Sequence, residues 1–88
     1  MEILLLTRSD CGSCGQAKTV IDRLADEFGL EVSTLDMDSE EGSVLAERGG
    51  VMFPPGVFVD GKPFSYGRLS ERKLRRELET RRASVGGT

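Results

Sequence analysis

The stretch EILLLTRSDCGSCGQA, residues 2–17, decides the fold. Its apolar block over residues 3–6 gives way to the polar residues 8–10, which is typical of a short buried strand over residues 2–7. Two cysteines, Cys11 and Cys14, follow directly. A helix comes next, because apolar residues recur with helical spacing at positions 14, 17, 20, 21, 24 and 28. A strand, a Cys-x-x-Cys pair and a helix in this order indicate a redox-active dithiol at a strand-to-helix junction.

Glycines, acidic residues and serines divide the rest of the chain into further elements. We predict, in chain order, a helix ending at Gly29, a strand over residues 31–36, a helix ending at Gly49 and Gly50, strands over residues 57–59 and 62–66, and a helix that Ser70 caps. Asp60 and Gly61 are the strongest hairpin signal in the chain. The order β-α-β-α-β-β-α predicts an α/β fold with a mixed four-stranded sheet flanked by helices. We expect one domain over residues 1–82 and a disordered tail over residues 83–88.

Chain length, residue counts and charge exclude several classes of protein. The 88 residues, 38% hydrophobic and 31% charged, suffice for one globular domain and no more. With no histidine and only two cysteines, histidine-based catalysis and a secreted-type disulfide framework are excluded.

Residues 1–67 hold 5 Lys/Arg and 12 Asp/Glu, a net charge of −7, whereas residues 68–88 hold 7 Lys/Arg and 3 Asp/Glu, a net charge of +4. This acidic body argues against a nucleic-acid binder. The basic segment is either a solvated helix face or a docking patch for an acidic partner.

The sequence gives no sign of a membrane segment or an export signal. The longest apolar run has four residues, 3–6, against the roughly 20 that a membrane-spanning helix needs. Glu2 stands where a signal peptide would carry positive charge. We therefore expect a cytoplasmic, monomeric protein with no membrane contact, whose thiols face a reducing environment.

The dithiol is predicted to combine an attacking and a resolving cysteine. Cys11, at the exposed tip of the helix N-terminus, is expected to ionise, because unpaired backbone N–H groups lower the pKa of a thiol there below its free value of about 8.5. Cys14, one turn further in, is expected to be more buried and to resolve the mixed disulfide. Asp10 opposes the thiolate, while Arg8 and Lys18 support it. Since no histidine can stabilise the thiolate, we expect a reducing or intermediate potential.

Two other interpretations of the cysteine pair stay open. The pair could be half of a zinc or iron–sulfur site, but such a site needs four ligands, and this chain could complete it only by sharing it with a second chain. The two cysteines could also be inert core residues. Redox chemistry is favoured over both because the pair follows a strand in a β-α-β pattern.

Three stretches resemble the glutaredoxin/thioredoxin family, and in particular its small bacterial glutaredoxin-like proteins. They are CGSCGQAK at residues 11–18, FPPGVFVDG at residues 53–61 and YGRLS at residues 66–70. The resemblance covers residues 2–82 and implies a thioredoxin-like fold. It also implies a thiol–disulfide oxidoreductase that uses Cys11 and Cys14 to reduce protein or glutathione mixed disulfides. By this resemblance, Pro55 corresponds to the family's cis-proline. The alternative is a trans Pro-Pro turn that only begins a strand.

The resemblance also assigns a substrate-binding surface around the dithiol. In the family, the residue before the cis-proline pairs its backbone N–H and C=O with the substrate, but Pro54 in that position has no N–H to donate. Residues 67–70 replace the Gly-Gly-x-Asp-like stretch that holds the γ-glutamyl end of glutathione, with one glycine and no aspartate. The residues expected to contact the substrate are Arg8, Ser13, Phe53, Pro54, Gly67, Arg68 and Leu69.

Partners follow from this assignment. The substrate is expected to be a disulfide-containing protein or a glutathione mixed disulfide, with glutathione as a co-substrate. A thiol or reductase system must supply electrons, and no bound cofactor, metal or nucleic acid is expected. Because Pro54 lacks a donor, a second function stays open: a non-catalytic binding module on the same fold, whose dithiol is vestigial or redox-sensitive.

Overall fold

Seven elements follow one another in the order β-α-β-α-β-β-α, as the sequence predicts. The structure, a computed structural model, describes residues 1–86 and the side chains of residues 1–83. Within residues 1–86, no helix is long and apolar enough to cross a membrane. The elements are β1 (Glu2–Thr7), α1 (Cys14–Phe28), β2 (Glu31–Asp36), α2 (Glu40–Gly49), β3 (Gly56–Val59), β4 (Lys62–Tyr66) and α3 (Glu71–Gly86). The predicted strand bounds agree with these within one residue, and Gly29 and Gly50 cap α1 and α2.

One mixed sheet holds the four strands in the order β2-β1-β3-β4. β1 and β2 are parallel, with Leu6 opposite Leu35, and β1 and β3 are antiparallel, with Leu6 opposite Gly56. β3 and β4 form the predicted hairpin, in which Asp60 and Gly61 have φ angles of 50° and 81°. Two consecutive positive φ angles let a two-residue turn follow the twist of the strands. The mixed sheet and the antiparallel hairpin of β3 and β4 are both confirmed.

Helices cover both faces of the sheet, as predicted. Because side chains alternate along a strand, β1 sends Ile3 and Leu5 to one face and Leu6 to the other. On the first face, α1 and α3 pack in a core formed by Ile3, Leu5, Ala17, Val20, Ile21, Leu24, Val57, Val59, Leu69, Leu74 and Leu78. On the second face, α2 packs in a smaller core formed by Leu6, Met37, Ala46, Val51 and Phe58. Coverage of both faces explains why β1 and β3 are almost continuously apolar.

The start of α3 is fixed by its cap and by ion pairs to α1. Ser70 Oγ accepts a hydrogen bond from the Lys73 backbone N–H at 3.2 Å, as predicted for an N-cap. Arg75 donates a hydrogen bond to the carboxylate of Glu27 on α1. That hydrogen bond raises the pKa of Arg75 above its ordinary value, and the guanidinium is charged at neutral pH.

The end of α3 differs from the prediction. We expected a disordered tail over residues 83–88, but α3 continues through Gly86, and residues 87 and 88 lie outside the described residues. Contacts in the preceding turn account for the extension. The Arg82 guanidinium lies 4.5 Å from the centroid of the Phe28 ring, and Arg81 pairs with Asp60 at 3.6 Å. The helix is therefore held to α1 and to the hairpin just before the residues that were expected to fray.

Candidate active site

Three loops meet at one end of the sheet and carry most of the residues that the sequence singles out. Leu6 near the end of β1 is paired with Gly56 at the start of β3, and Gly56 is paired with Tyr66 at the end of β4. The loop after β1 carries the two cysteines, the loop before β3 carries Pro55, and the loop after β4 carries Gly67. These three loops therefore leave the sheet side by side.

Cys11 and Cys14 form a disulfide in the first of these loops. Their Cα atoms are 5.5 Å apart, well within the range that a disulfide requires. Cys11 lies before α1, and its backbone N–H donates to the Arg8 carbonyl at 3.1 Å. Cys14 is the first residue of α1, and both cysteines are half-buried. Cys11 is therefore not fully exposed in the disulfide form, and the deeper burial expected for Cys14 stays a prediction.

Ser13 occupies the N-cap position of α1. Its side chain is half-buried and makes no capping hydrogen bond. The hydroxyl, between the two cysteines in sequence, is therefore not committed to the helix. Its expected contact with a substrate stays a prediction.

The side chain of Arg8 is held by Asp38, in the turn between β2 and α2. Arg8 Nε lies 3.2 and 3.1 Å from the two carboxylate oxygens of Asp38, and a second guanidinium nitrogen lies 3.1 Å from Oδ1. Asp38 is absent from the predicted site, since the two residues are 30 positions apart and nothing local in the sequence links them. The carboxylate offsets part of the guanidinium charge, and the support that Arg8 gives to a Cys11 thiolate stays a prediction.

The peptide bond between Pro54 and Pro55 is cis, as the resemblance implies. Pro55 is fully buried, and its carbonyl accepts a hydrogen bond from the backbone N–H of Gly67 at 2.8 Å. Pro54 is half-buried and has a carbonyl but no N–H. At Pro54, the loop before β3 therefore offers a substrate a backbone acceptor without a backbone donor.

Phe53 and Tyr66 form an exposed aromatic pair beside this loop. Their ring centroids are 5.0 Å apart with an angle of 89° between the planes, an edge-to-face arrangement. Phe53 is 54% exposed and Tyr66 is 41% exposed. Gly67 has a φ of 79°, and a Cβ atom there would lie 2.8 Å from Cε2 of Phe53. Position 67 therefore requires glycine for both its backbone conformation and the space that the Phe53 ring takes.

The structure corrects the role predicted for Leu69 and adds Gln16. The side chain of Leu69 is 2% exposed and belongs to the larger core, so the predicted substrate contact through that side chain is wrong. The Leu69 carbonyl instead accepts a hydrogen bond from Nε2 of Gln16 at 3.0 Å. Oε1 of Gln16 is buried and has no hydrogen-bond partner among the described residues. The only sequence signal for this contact is a polar residue next to Ala17, on the packed side of α1.

Arg68 lies in the loop between the aromatic pair and α3. It is exposed, and it borders a shallow cavity of about 310 Å³. The cavity is lined by Phe64, Ser65, Tyr66, Arg68, Ser70 and Lys73. Arg68 is thus placed to meet a molecule at this end of the sheet, and its contact with a substrate stays a prediction.

The fold and the cysteine pair together define the class of protein. A solved mutant thioredoxin from Halobacterium salinarum matches with a TM-score of 0.68 and 26% identity, and the match covers 90% of this chain and 72% of that chain. The match and the Cys11–Cys14 disulfide identify a thioredoxin-fold protein of the general oxidoreductase class.

The particular family follows from the sequence. The profile of the Glutaredoxin-like domain (DUF836) family matches residues 2–79, and the chain belongs to this family. An uncharacterised protein of Mycobacterium tuberculosis is 30% identical over 81 residues, which cover 88% of this chain and 81% of that protein. NADPH-dependent thioredoxin reductase 3 of Arabidopsis thaliana is 33% identical over 55 residues, which cover 62% of this chain and 10% of that protein. The resemblance seen in the sequence is thereby confirmed.

Proposed function

We propose that this protein is a glutaredoxin-like dithiol–disulfide oxidoreductase that reduces disulfides in proteins or mixed disulfides with glutathione. The observation that carries the proposal is the Cys11–Cys14 disulfide at the strand-to-helix junction, beside the Pro54–Pro55 loop. A cysteine pair that can form an internal disulfide can reduce a substrate disulfide by becoming oxidised itself. A thiol donor can then reduce the pair again.

The reaction proceeds through two thiol–disulfide exchanges. The Cys11 thiolate attacks one sulfur of the substrate disulfide; the substrate S–S bond breaks, a mixed disulfide forms, and the first substrate thiolate leaves and takes a proton from solvent. Cys14 then loses its proton and attacks the Cys11 sulfur, so the mixed disulfide breaks and the second substrate thiolate leaves. The Cys11–Cys14 bond forms, and two electrons have passed from the dithiol to the substrate.

Cys11 is the attacking residue because it lies just before α1. The first backbone N–H groups of a helix have no partners within the helix, and they stabilise a thiolate at this position. Cys14, the first residue of α1, lies within bridging distance of Cys11, which suits the resolving step.

Substrate contacts come from the loops around the disulfide. The Pro54 carbonyl accepts a hydrogen bond from a backbone N–H of the substrate, and Phe53 packs against the substrate chain. Ser13, Gly67 and Arg68 complete this surface, as does Arg8 to the extent that Asp38 leaves it free. Leu69 acts only through its backbone.

The electron donor is a thiol or reductase system, and no resident cofactor is involved. The similarity to a segment of NADPH-dependent thioredoxin reductase 3 supports a donor linked to an NADPH-dependent reductase. Glutathione is the alternative co-substrate, with less support, because Pro54 lacks a donor and residues 67–70 contain one glycine. We propose the cytosol as the compartment, since such reductants keep thiols reduced there.

The test compares the variants C11S and C14S with a disulfide-bearing protein or glutathione mixed disulfide as substrate. C14S is expected to accumulate a mixed disulfide, observed by mass spectrometry, because its resolving thiol is missing. C11S is expected to trap none and to lose turnover. Equal trapping by both variants, or a wild-type protein that never forms the Cys11–Cys14 disulfide during turnover, would overturn the proposal.

The missing N–H of Pro54 favours one second candidate, a non-catalytic binding module with a redox-sensitive dithiol. A binding module would reduce the same substrates no faster than free dithiothreitol at equal thiol concentration. Turnover above that control, lost in C11S, excludes it.

A further inference from the structure

We propose that the solvent-facing side of the start of α3 is a docking surface for an acidic segment of a disulfide-bearing polypeptide. We define this basic surface by four residues, Arg68, Arg72, Lys73 and Arg76, all of which are exposed. The inference rests on the proposed function, because it names the class of substrate whose disulfide Cys11 attacks.

Two shallow cavities that share the lining residues Ser70 and Lys73 lie along the basic surface, and we call them together the groove. Its first part is the cavity of about 310 Å³ that Tyr66 and Arg68 border. Its second part, about 340 Å³, is lined by Ser70, Arg72, Lys73 and Arg76. Ser70 and Lys73 line both parts, and among the described residues no acidic side chain lines either. A polypeptide lying in the groove therefore meets two cations in the first part and three in the second, with Lys73 counted in both.

Two contacts join the groove to the Pro54–Pro55 loop. Tyr66, which lines its first part, packs edge-to-face on Phe53, the residue before the Pro54–Pro55 loop. The backbone of Gly67 is hydrogen-bonded to Pro55, so the loop that leads into the basic surface is attached to the loop beside the cysteines. A substrate whose disulfide is held at the cysteines can therefore extend past the aromatic pair into the groove.

Among the side chains that the structure describes, no carboxylate pairs with a cation of the basic surface. The ion pairs among residues 1–83 involve Arg8, Arg23, Arg75 and Arg81, and none involves a residue of the basic surface. Arg75 and Arg81 lie on the same helix and are paired with acidic residues, some of which belong to α1 and the hairpin. Arg75 and Arg81 are therefore paired within the chain, whereas the four cations of the basic surface form an unpaired set among the described residues. The unpaired set is free to meet carboxylates from outside the chain.

An acidic polypeptide fits this arrangement better than a nucleic acid. Residues 1–67 carry a net charge of −7, so most of the chain repels a long polyanion. A polypeptide can place a few carboxylates against the groove and keep the rest of its surface neutral, and it can also carry the disulfide that the site requires. Charge complementarity over a small area is expected to raise the association rate and to orient the bound polypeptide.

The test uses three synthetic peptides of equal length, each with one cysteine in a mixed disulfide with 2-nitro-5-thiobenzoate. The cysteine is followed by four glutamates, four glutamines or four lysines. At low salt the acidic peptide is expected to have the highest kcat/KM and the lysine peptide the lowest. The difference should shrink at high salt, because exposed charges are screened.

Two double variants separate the basic surface from overall charge. R72Q/K73Q removes two cations of the surface, and R48Q/K62Q removes two exposed cations on α2 and the hairpin, so the net charge changes equally. R72Q/K73Q is expected to lower kcat/KM for the acidic peptide about fivefold, which corresponds to ~1 kcal/mol for two exposed ion pairs. The glutamine peptide should be unaffected, and R48Q/K62Q should leave the preference for the acidic peptide in place. An equal effect of both double variants, or no acidic preference in the wild type, would overturn the inference.

A binding measurement tests the docking surface independently of disulfide reduction. The same peptides with serine in place of cysteine carry a fluorophore, and fluorescence anisotropy reports their binding to the oxidised protein. Tighter binding of the acidic peptide, weakened by R72Q/K73Q alone, supports the docking surface even if no peptide is reduced, in which case the proposed function fails by itself. Equal binding of the three peptides, or stronger binding of a single-stranded oligonucleotide of similar length, contradicts the docking surface whatever the turnover.

Discussion

Gln16 and Leu69, 53 residues apart in the sequence, are joined by a hydrogen bond of 3.0 Å from the Gln16 side-chain amide to the Leu69 carbonyl. The bond connects α1, two residues beyond Cys14, to the loop that carries Arg68. The same loop is also fixed by the buried side chain of Leu69. The helix that begins at the disulfide and the loop that begins the basic surface are therefore joined by this hydrogen bond and by the core that Leu69 shares with α1.

Removing this hydrogen bond should destabilise the protein measurably. Q16A is expected to lower the free energy of unfolding by about 1 kcal/mol, because the partly buried Leu69 carbonyl loses its donor. T19A on the same helix is the control, since the Thr19 hydroxyl donates to Gly15 on an exposed part of α1 and its loss should cost less than about 0.5 kcal/mol. Urea denaturation of the disulfide form measures both. Equal stabilities of the two variants would mean that the Gln16–Leu69 bond does not fix the loop.

Alanine at position 67 should be costly for two separate reasons. G67A forces a side chain into a positive φ and also places Cβ against the Phe53 ring. G61A isolates the first cost, because Gly61 has a similar φ with nothing near its Cβ position. We expect G61A to cost about 1 kcal/mol and G67A about 2–3 kcal/mol. In an F53A background the cost of G67A should fall to that of G61A, and denaturation midpoints that do not converge would contradict the contact with Phe53.

The fold could be predicted from the sequence because its signals are local. The apolar block at residues 3–6, the glycines that cap α1 and α2, and the Asp60-Gly61 turn each fix the limits of an element without reference to the rest of the chain. With the elements in place, the rules for parallel and antiparallel connections leave few arrangements of the sheet. The cysteine pair could be placed in the same way, because the apolar block before it and the helical spacing after it are both local patterns.

The details of the site could not be predicted because they depend on residues that are distant in sequence. No sequence pattern near Arg8 predicts its ion pair with Asp38, and none near Gln16 predicts its hydrogen bond to the Leu69 carbonyl. Leu69 was assigned to substrate binding because its stretch replaces a ligand loop of the family, yet an apolar side chain one residue before a capped helix packs into the core.

The Arg8–Asp38 pair should limit how far Arg8 activates the dithiol. In a C14S background, R8M is expected to change the rate of Cys11 alkylation by iodoacetamide less than about twofold, because Asp38 already offsets the charge and exposed ion pairs are weak. D38N frees the guanidinium and should raise the rate, whereas D26N, which removes an exposed charge on α1, should not. A tenfold slower rate in R8M would show that Arg8 supports the thiolate directly.

Restoring a backbone donor at position 54 should improve the reduction of peptide disulfides. P54T supplies the N–H that Pro54 lacks, and one added hydrogen bond to a substrate backbone is worth about 0.5–1.5 kcal/mol, or roughly a two- to twelvefold rise in kcat/KM. The rate with bis(2-hydroxyethyl) disulfide should not change, because that substrate has no peptide backbone. P63T, at an exposed proline of β4, is the matched control and should affect neither substrate. A rise with both substrates would assign the effect to the dithiol itself, and no rise with the peptide would mean that substrates do not pair with the backbone of residue 54.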